Sequence, residues 1–453
     1  MELERVIAAL APTAVVRRAP ADVRDLAYDT RTVVPGALFF CVRGAQADGH
    51  DLAAEAVARG AVALVVEREL DLPVPQIVVS DSRRAMAPAA VAFFGDPSRR
   101  LDVAAVTGTA GKTTTTYLLY EILRAADRRP GLLTNLERRV GDATRPAKLN
   151  TPEAIDLQRL FREMTDAGDR SCAMEATSHA SVQGRLDGVR FAVLVFTNLA
   201  HEHLDFHGTM EDYFDAKRRL FAQAEHAVVN VGDGWGRRLA AELDDVTTFD
   251  ARRDILNAEL KLRGAFNVEN ALGAAAAARV LGVDEDAIRR GIEAVDGVPG
   301  RFELVDEGQP FTVIVDYSHK PASLERVLDA ARDLARGRVL CVFGCGGDRD
   351  REKRPVMGRI GSERADVAIV TSDNPRSEDP LAIIEEIVAG ASGLEVEPDR
   401  RAAIGRAIES AREGDVVVIA GKGHEQGQEI AGVVHPFDDR DVARELLRAL
   451  QPA

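Results

Sequence analysis

The residues best suited to chemistry stand in Gly108-Thr109-Ala110-Gly111-Lys112-Thr113-Thr114, a glycine loop of spacing G-x-x-G-K-T-T. Backbone N–H groups at the mouth of an expected helix favour phosphate, Lys112 adds a cation, and the hydroxyls of Thr113 and Thr114 suit Mg²⁺. The loop is shorter than the G-x-x-x-x-G-K-[ST] of the common phosphate loop. A run of β-formers at 103–107 precedes it and a helical stretch at 114–123 follows. Strand, turn and helix thus come in the order that phosphate binding needs, and the loop predicts a bound nucleoside triphosphate.

Other polar clusters stand just past apolar runs. Glu175 heads one of them, at 175–179, and is the carboxylate a hard cation beside phosphates would take. A second, at 197–207, holds His201, His203 and His207. With no Cys and no H-E-x-x-H beside them, these histidines argue against tetrahedral zinc, and His203 alone reads as a hydrogen-bonding residue. Lys217 falls on a helix after this cluster and reads, from composition, as a surface lysine. Arg301 reads either as a linker arginine or as a phosphate contact reaching across a cleft. The loops 29–31 and 43–50 read as solvated turns.

Behind these groups the chain alternates apolar runs with helical stretches, which predicts an α/β protein built of mostly parallel sheets. At 453 residues it is long enough for about three domains. We expect a small α/β domain over 1–98, a central domain headed by the phosphate loop over 99–300, and a doubly wound domain over 301–453. In the first, strands are expected at 37–42, 61–67 and 76–80, with helices at 51–59 and 82–94. In the second, apolar runs recur at 172–174, 191–196 and 226–231, and 267–281 reads as a helix with small residues on its buried side. In the third, buried strands at 313–316, 339–343, 368–371 and 416–420 each lead at once into a polar or glycine-rich loop, which predicts a site along one sheet edge. The formal charge of −15 argues against a nucleic-acid surface. No apolar run approaches a membrane span, and the first residues lack the pattern of a secretion signal. Cys41, Cys172, Cys341 and Cys345 show no C-x-x-C pairing and read as buried, reduced thiols of a cytoplasmic protein.

Taken in order, the motifs resemble the Mur ligases, the ATP-dependent amino-acid-adding enzymes of peptidoglycan precursor synthesis. The resemblance runs over nearly the whole chain. It is carried by GT-x-GKTT at 108–114, E-x-x-SHA-x-x-Q-x-R at 175–185, TNL-x-x-EHLDFHG at 197–208 and YFDAK at 213–217. F-N-x-x-N at 266–270, GR-x-E at 300–303, VDY-x-H-x-P at 315–321, GCGGDRD at 344–350 and AGKGHE at 420–425 continue it. SHA-x-x-Q-x-R together with Asp373-Asn-Pro-Arg376 looks like the third-step members, which join a diamino acid to UDP-N-acetylmuramoyl-L-Ala-D-Glu.

The resemblance implies a UDP-sugar-binding N-terminal domain, a central ATPase-like parallel sheet and a Rossmann-like C-terminal domain that binds the amino acid. It implies catalytic roles for Lys112, Glu175, His203 and Lys217, with Lys217 carbamylated to N6-carboxylysine. Two Mg²⁺ ions would be shared among Thr113, Glu175, His203 and the carbamate. Besides the loop itself, Asn270, Arg301, Asp316 and His319 match nucleotide contacts. Thr30, Gln46, Asn150, Thr151, Thr177, Gln183 and Arg185 match positions holding the UDP-sugar dipeptide. Arg349, Asp373, Asn374, Arg376, Gly421 and Glu425 match the amino-acid pocket. Asp-Asn-Pro-Arg accompanies meso-2,6-diaminopimelate in the family, and Arg376 offers a bidentate fork to a distal carboxylate that lysine lacks. The implied reaction forms an acyl phosphate on the D-Glu carboxylate and then an amide, in a cytoplasmic monomer without nucleic-acid or membrane partners.

Several positions depart from the pattern: Ala110 stands where an asparagine is usual, Lys320 and Ala322 replace Thr and Asp, and Asn150-Thr151 replaces a Thr-Thr pair. The rival readings are a ligase adding L-lysine or another diamino acid, a folylpolyglutamate-synthetase-like ligase, and an inactive nucleotide-binding homologue.

Overall fold

The computed structural model describes residues 1–44 and 47–450. Three large sheets follow one another along the chain, each covered by helices on both faces, and a separate antiparallel hairpin, Gly427–Ile430 with Val433–Pro436, follows the last strand of the third. The first runs, edge to edge, Ala14–Val16, Gln76–Val78, Ala63–Val66, Ala37–Phe40 and Asp25–Ala27, parallel except for the first strand. The central sheet runs Val246–Phe249, Ala227–Asn230, Val193–Phe196, Asp102–Thr107, Ser171–Glu175 and Pro130–Leu133 in parallel. An antiparallel hairpin, Glu137–Val140 with Ala143–Pro146, extends it. The third sheet runs Glu303–Leu304, Thr312–Asp316, Val416–Ala420, Val339–Phe343, Val367–Val370 and Glu395–Val396, parallel apart from its first strand.

The inner strands are continuous apolar runs because both of their faces are covered. Val103, Ala104, Ala105 and Val106 are all buried. Their side chains alternate between a layer with helices Lys112–Ala125, Ala265–Val280 and Glu285–Glu293 and a layer with helices Ala154–Ala167 and Met210–Arg218. Small residues let helix Ala265–Val280 lie close to helix Lys112–Ala125: Ala271, Ala274, Ala275 and Ala278 are buried against it. Helices Ala154–Ala167 and Ser82–Phe94 pack together, which ties the first sheet to the central one.

Most expected strands form, with trimmed ends. The helix after the phosphate loop begins at Lys112, two residues before the expected start, because Gly111 takes φ +86° and turns the chain directly into it. The hairpin at 137–146 has no expected counterpart: strand Glu137–Val140 is charged and half-buried, strand Ala143–Pro146 is exposed, and neither shows an apolar alternation in the sequence. The four cysteines are buried and unpaired, as expected. No helix among the described residues is long and apolar enough to cross a membrane.

Candidate active site

In the central sheet, strand Asp102–Thr107 lies between neighbours whose connections run to opposite sides, the switch point at which open α/β sheets hold ligands. The glycine loop emerges there, at the N-terminus of helix Lys112–Ala125. A Cβ at Gly111 would fall on Asn270 Oδ1, so position 111 needs both the positive φ and the missing side chain. Lys112 folds back and donates to the carbonyls of Gly108 (3.0 Å) and Thr109 (2.7 Å). Burial pushes its ammonium down to about 8, with Glu175 opposing the shift and Arg301 adding to it. A half-buried cation whose hydrogen bonds go only to carbonyls is poised for an anion.

Ala110 is held without the side chain usual at that position. Its N–H donates to Asn198 Oδ1 (2.9 Å), and its carbonyl accepts from Asn198 Nδ2 (3.3 Å) and Thr197 Oγ1 (2.7 Å). Thr109 is fixed by Tyr213 OH (3.0 Å) and by the N–H of Ala200 (3.0 Å). Sequence reasoning did not single out Asn198, Thr197 or Tyr213 as site residues, although all three lie inside quoted motifs.

Beyond Lys112, the Thr113 hydroxyl lies 2.9 Å from Glu175 Oε1, which also accepts from the Asn135 N–H (3.2 Å). Glu175 is buried. This hydroxyl–carboxylate pair fits a hard cation that keeps waters and phosphate oxygens as its other ligands. Among the described residues, no group of three or more His, Cys, Asp or Glu converges as a metal cage. Asn135 gave no sequence signal, since nothing marks the turn after strand Pro130–Leu133.

Lys217 is not a surface lysine. It is 1% exposed, stands 4.7 Å from the Tyr213 ring and donates to Gly108 O (2.8 Å). Burial, and secondarily Lys112, holds its amine well below the usual lysine range. An amine held low in this way sheds its proton more readily than an ordinary lysine, and the deprotonated form is the one that reacts with CO₂. His203 sits in the left-handed region at φ 58° and packs edge-on to His179, with ring centroids 4.6 Å apart. Burial first, then His179, Lys112 and Lys217, push its imidazole down to about 2. Lys320, one of the departures, caps helix Pro321–Leu334 from the third sheet and reaches the carboxylate of Glu202 and His203 Nε2 (3.2 Å).

One cleft of about 770 Å³ gathers most of these groups, with Lys217 buried behind the phosphate loop and not among the lining residues. From the central sheet it is lined by Thr109–Thr114, Asn150, Glu175, His203 and Asn270, and from the third by Asp316, His319, Arg349 and Glu425, with Arg301 at the junction. Arg301 donates to Thr113 Oγ1 (3.2 Å), stacks over Tyr317 at 4.4 Å and keeps a buried Nε without a protein partner. Asn270 is steadied by Thr115 and Asn267. Asp316 accepts from the N–H groups of Phe302 (2.7 Å) and Ser318 (2.8 Å), which braces the chain where it crosses between sheets. His319, pushed down to about 4 by burial, points Nδ1 at Tyr317 O (2.7 Å).

A second cluster lies between the first and central sheets. Thr151 Oγ1 donates to Glu175 O (3.1 Å) and contacts Thr177 Oγ1 (3.1 Å), while Thr177 caps the helix that leads to Gln183. Arg185 donates to Thr151 O (3.1 Å) and pairs with Glu153, which Arg83 of helix Ser82–Phe94 also grips at 2.7 Å. Asn150 Oδ1, Glu153 Oε2, Gln183 Oε1 and Arg185 Nε are buried without protein partners, the mark of a polar cradle awaiting a ligand. Thr30 is buried in a short turn capped by Asp29, and nothing joins it to this cluster by a hydrogen bond. Gln46 lies outside the described residues.

The third cluster stands on the third sheet beside Glu425. Asn374 donates to Glu425 Oε2 (2.8 Å). A Cβ at Gly421 would meet Asp373 Oδ2, itself buried without a protein partner. Arg376, at φ 54°, donates to Gly347 O (2.7 Å), and its backbone pairs with Glu429 and Ala431 of the neighbouring hairpin. Arg349 stands exposed at the cleft edge and donates to the adjacent Asp348 carbonyl. Fully buried Arg354 grips Glu378 and Glu386 and so joins the 344–350 turn to the 373–378 turn; it was not foreseen.

The chain matches three family descriptions in order: Mur ligase family, catalytic domain, over 22–108; Mur ligase middle domain, over 106–253; and Mur ligase, glutamate ligase domain, over 300–423. It is similar to the UDP-N-acetylmuramoyl-L-alanyl-D-glutamate--2,6-diaminopimelate ligase of Geobacillus kaustophilus (strain HTA426), with 48% identity over 461 residues that cover 93% of this chain and 94% of the relative. The protein of the same name from Streptomyces coelicolor is 43% identical over 474 residues, covering 95% and 94%. A solved structure of a UDP-N-acetylmuramoyl-L-alanyl-D-glutamate--2,6-diaminopimelate ligase superposes with a TM-score of 0.65 at 32% identity, covering 94% of this chain and 95% of that one.

Proposed function

The chain belongs to the Mur ligase family, and from that premise we propose that it joins meso-2,6-diaminopimelate to UDP-N-acetylmuramoyl-L-Ala-D-Glu at the expense of ATP. It is an acid–amino-acid ligase of peptidoglycan precursor synthesis. The observation that carries the reading is the single cleft in which a phosphate loop, a buried carboxylate and Glu425 of the amino-acid cluster face one another across two sheets.

In this reading the loop N–H groups and Lys112 hold the ATP phosphates, and Asn270, Arg301, Asp316 and His319 hold the rest of the nucleotide. The cradle of Asn150, Thr151, Thr177, Gln183 and Arg185, with Thr30 and Gln46, holds the UDP-sugar dipeptide and brings its D-Glu carboxylate towards the γ-phosphate. The carboxylate attacks phosphorus, ADP leaves, and an acyl phosphate results. The free amine of diaminopimelate then attacks the acyl carbon, losing a proton as the amide forms and inorganic phosphate departs. Positioning and charge neutralisation supply most of the catalysis in such phosphoryl transfers. Thr113 and Glu175 would hold one Mg²⁺, and His203 with a carbamate on Lys217 a second; bound there, the ions supply charge neutralisation on the phosphoryl oxygens. Closing the third sheet over the cleft excludes water, which would otherwise hydrolyse the acyl phosphate.

Arg376, with Arg349, Asp373, Asn374, Gly421 and Glu425, selects an amino acid whose distal end carries both a carboxylate and an ammonium. Buried, unpaired cysteines support a reducing, cytoplasmic setting. Phosphate release with UDP-N-acetylmuramoyl-L-Ala-D-Glu and ATP tests the reading. Turnover is expected with meso-diaminopimelate and not with L-lysine, and failure with both overturns the proposal.

A further inference from the structure

The amide of Asn374 has only one chemically allowed orientation. One of its two polar atoms faces the backbone N–H of Glu429 (2.9 Å) and the ammonium of Lys422 (3.1 Å). Two donors converge on that atom, so it is the oxygen, and the NH₂ must point the other way. There one N–H meets Glu425 Oε2 at 2.8 Å, and the second remains available. Lys422 is fully buried and spends its three N–H bonds inside the protein, on Asn374 Oδ1, Glu425 Oε2 (3.3 Å) and Gly427 O (2.5 Å). It has no bond left for a ligand.

We propose that Lys422 is a positioning residue that sets the polarity of the diamino-acid pocket before the amino acid arrives. By occupying Asn374 Oδ1 it turns a donor, not an acceptor, towards the pocket. By placing a cation behind Glu425 it anchors that carboxylate where it faces the cleft. The pocket then offers an N–H to a carboxylate and an anion to an ammonium, the pair that a diamino dicarboxylate presents at one end. Without Lys422 the Asn374 amide loses one of the two donors on its oxygen and is oriented only by the Glu429 N–H and by Glu425, which itself loses its buried counter-charge and anchor. The inference rests on the reading of Asn374 and Glu425 as amino-acid contacts.

Steady-state kinetics of wild type, Lys422→Met, Asn374→Asp and the double variant test it, with KM measured separately for each of the three substrates. Asn374→Asp keeps the acceptor facing Lys422 and Glu429 but replaces the outward NH₂ with an oxygen. For either single variant the KM for diaminopimelate is expected to rise about tenfold to a hundredfold, as for a lost charged hydrogen bond. The KM values for ATP and the UDP-dipeptide should stay within about twofold, and the double variant should be little worse than either single one. A folded Lys422→Met enzyme with an unchanged diaminopimelate KM, an equal loss for all three substrates, or full additivity overturns the proposal. If Lys422→Met does not fold, an unchanged diaminopimelate KM in Asn374→Asp overturns it alone. A wild type that ignores diaminopimelate overturns the functional reading and this inference together. A wild type that uses it while the variants match it overturns only this inference.

Discussion

Asn198→Ala is expected to weaken ATP binding selectively. Asn198 follows strand Val193–Phe196, is buried, and brackets the Ala110 peptide from both sides, taking its N–H on Oδ1 (2.9 Å) and giving Nδ2 to its carbonyl (3.3 Å). Truncation removes both contacts, while the main-chain bond from the Thr109 N–H to Asn198 O (2.8 Å) and the Thr197 hydroxyl on Ala110 O (2.7 Å) survive. The loop therefore loosens without losing its anchorage. At about 0.5–1.5 kcal/mol for each bond, the loss is about 1–3 kcal/mol, or about 5- to 150-fold in ATP affinity. Ala110 has no side chain with which to compensate, so the penalty should fall in full on the phosphates. The assay is calorimetric titration with a non-hydrolysable ATP analogue, alongside the KM values for the other two substrates. Affinity for the nucleotide should fall while both other KM values stay within about twofold. Asn198→Asp, which keeps the acceptor but sets a negative charge beside the phosphates, should bind nucleotide more weakly than wild type as well. A folded Asn198→Ala protein with ATP affinity within about twofold of wild type refutes the reasoning.

Lys217→Ala should lower kcat by about a hundredfold or more, the scale of lost charge stabilisation at a phosphoryl group. Wild type equilibrated with isotopically labelled CO₂ should show a carbamate carbon resonance that the variant lacks; a fully active variant contradicts the carbamate role. Arg376→Lys keeps the charge but loses the fork, so its diaminopimelate KM should rise by about tenfold or more with the ATP KM unchanged. Equal turnover of wild type with L-lysine and diaminopimelate would contradict the role given to Arg376. Glu378 is held down to about 2 by the Arg354 guanidinium, below the ordinary carboxylate value of 4.5. Its folded form binds fewer protons than the unfolded chain in that interval, so its contribution is complete above about 4.5 and is lost as pH falls towards 2. Arg354→Met should therefore destabilise the protein at neutral pH by about 1–2 kcal/mol, since Glu378 and Glu386 are partly exposed and Glu386 keeps its pairing with Arg351. It should also flatten the acid limb of a denaturation series, and an unchanged acid limb contradicts the assignment.

What the sequence made legible was chemistry written locally. The 108–114 loop declares itself because glycine, lysine and hydroxyl residues do their work within one turn, and the strands at 339–343 and 416–420 form with the expected bounds because buried parallel strands are unbroken apolar runs. Lys217 was opaque to composition, since what buries it is a face of helix Met210–Arg218 pressed under a loop about a hundred residues away in sequence. The family resemblance, not periodicity, supplied its role. Asn198 and Lys422 stood inside quoted motifs, but what each does depends on which backbone groups the fold sets opposite them. Asn135 and the hairpin at 137–146 carried no signal, because a charged edge hairpin without an apolar alternation looks like a loop. Ala110 stood out in the sequence only as a departure from the usual asparagine, and the fold holds its backbone N–H and carbonyl with Asn198 and Thr197.

The most direct measurement uses UDP-N-acetylmuramoyl-L-Ala-D-Glu whose D-Glu side-chain carboxylate carries heavy oxygen, together with ATP and meso-diaminopimelate. An acyl-phosphate ligase transfers one heavy oxygen from that carboxylate to the released phosphate for each tripeptide formed, and mass spectrometry of phosphate and product reads both. Stoichiometric transfer together with a diaminopimelate-containing tripeptide is the predicted result. Phosphate without the label, or label transfer without the tripeptide, would contradict it.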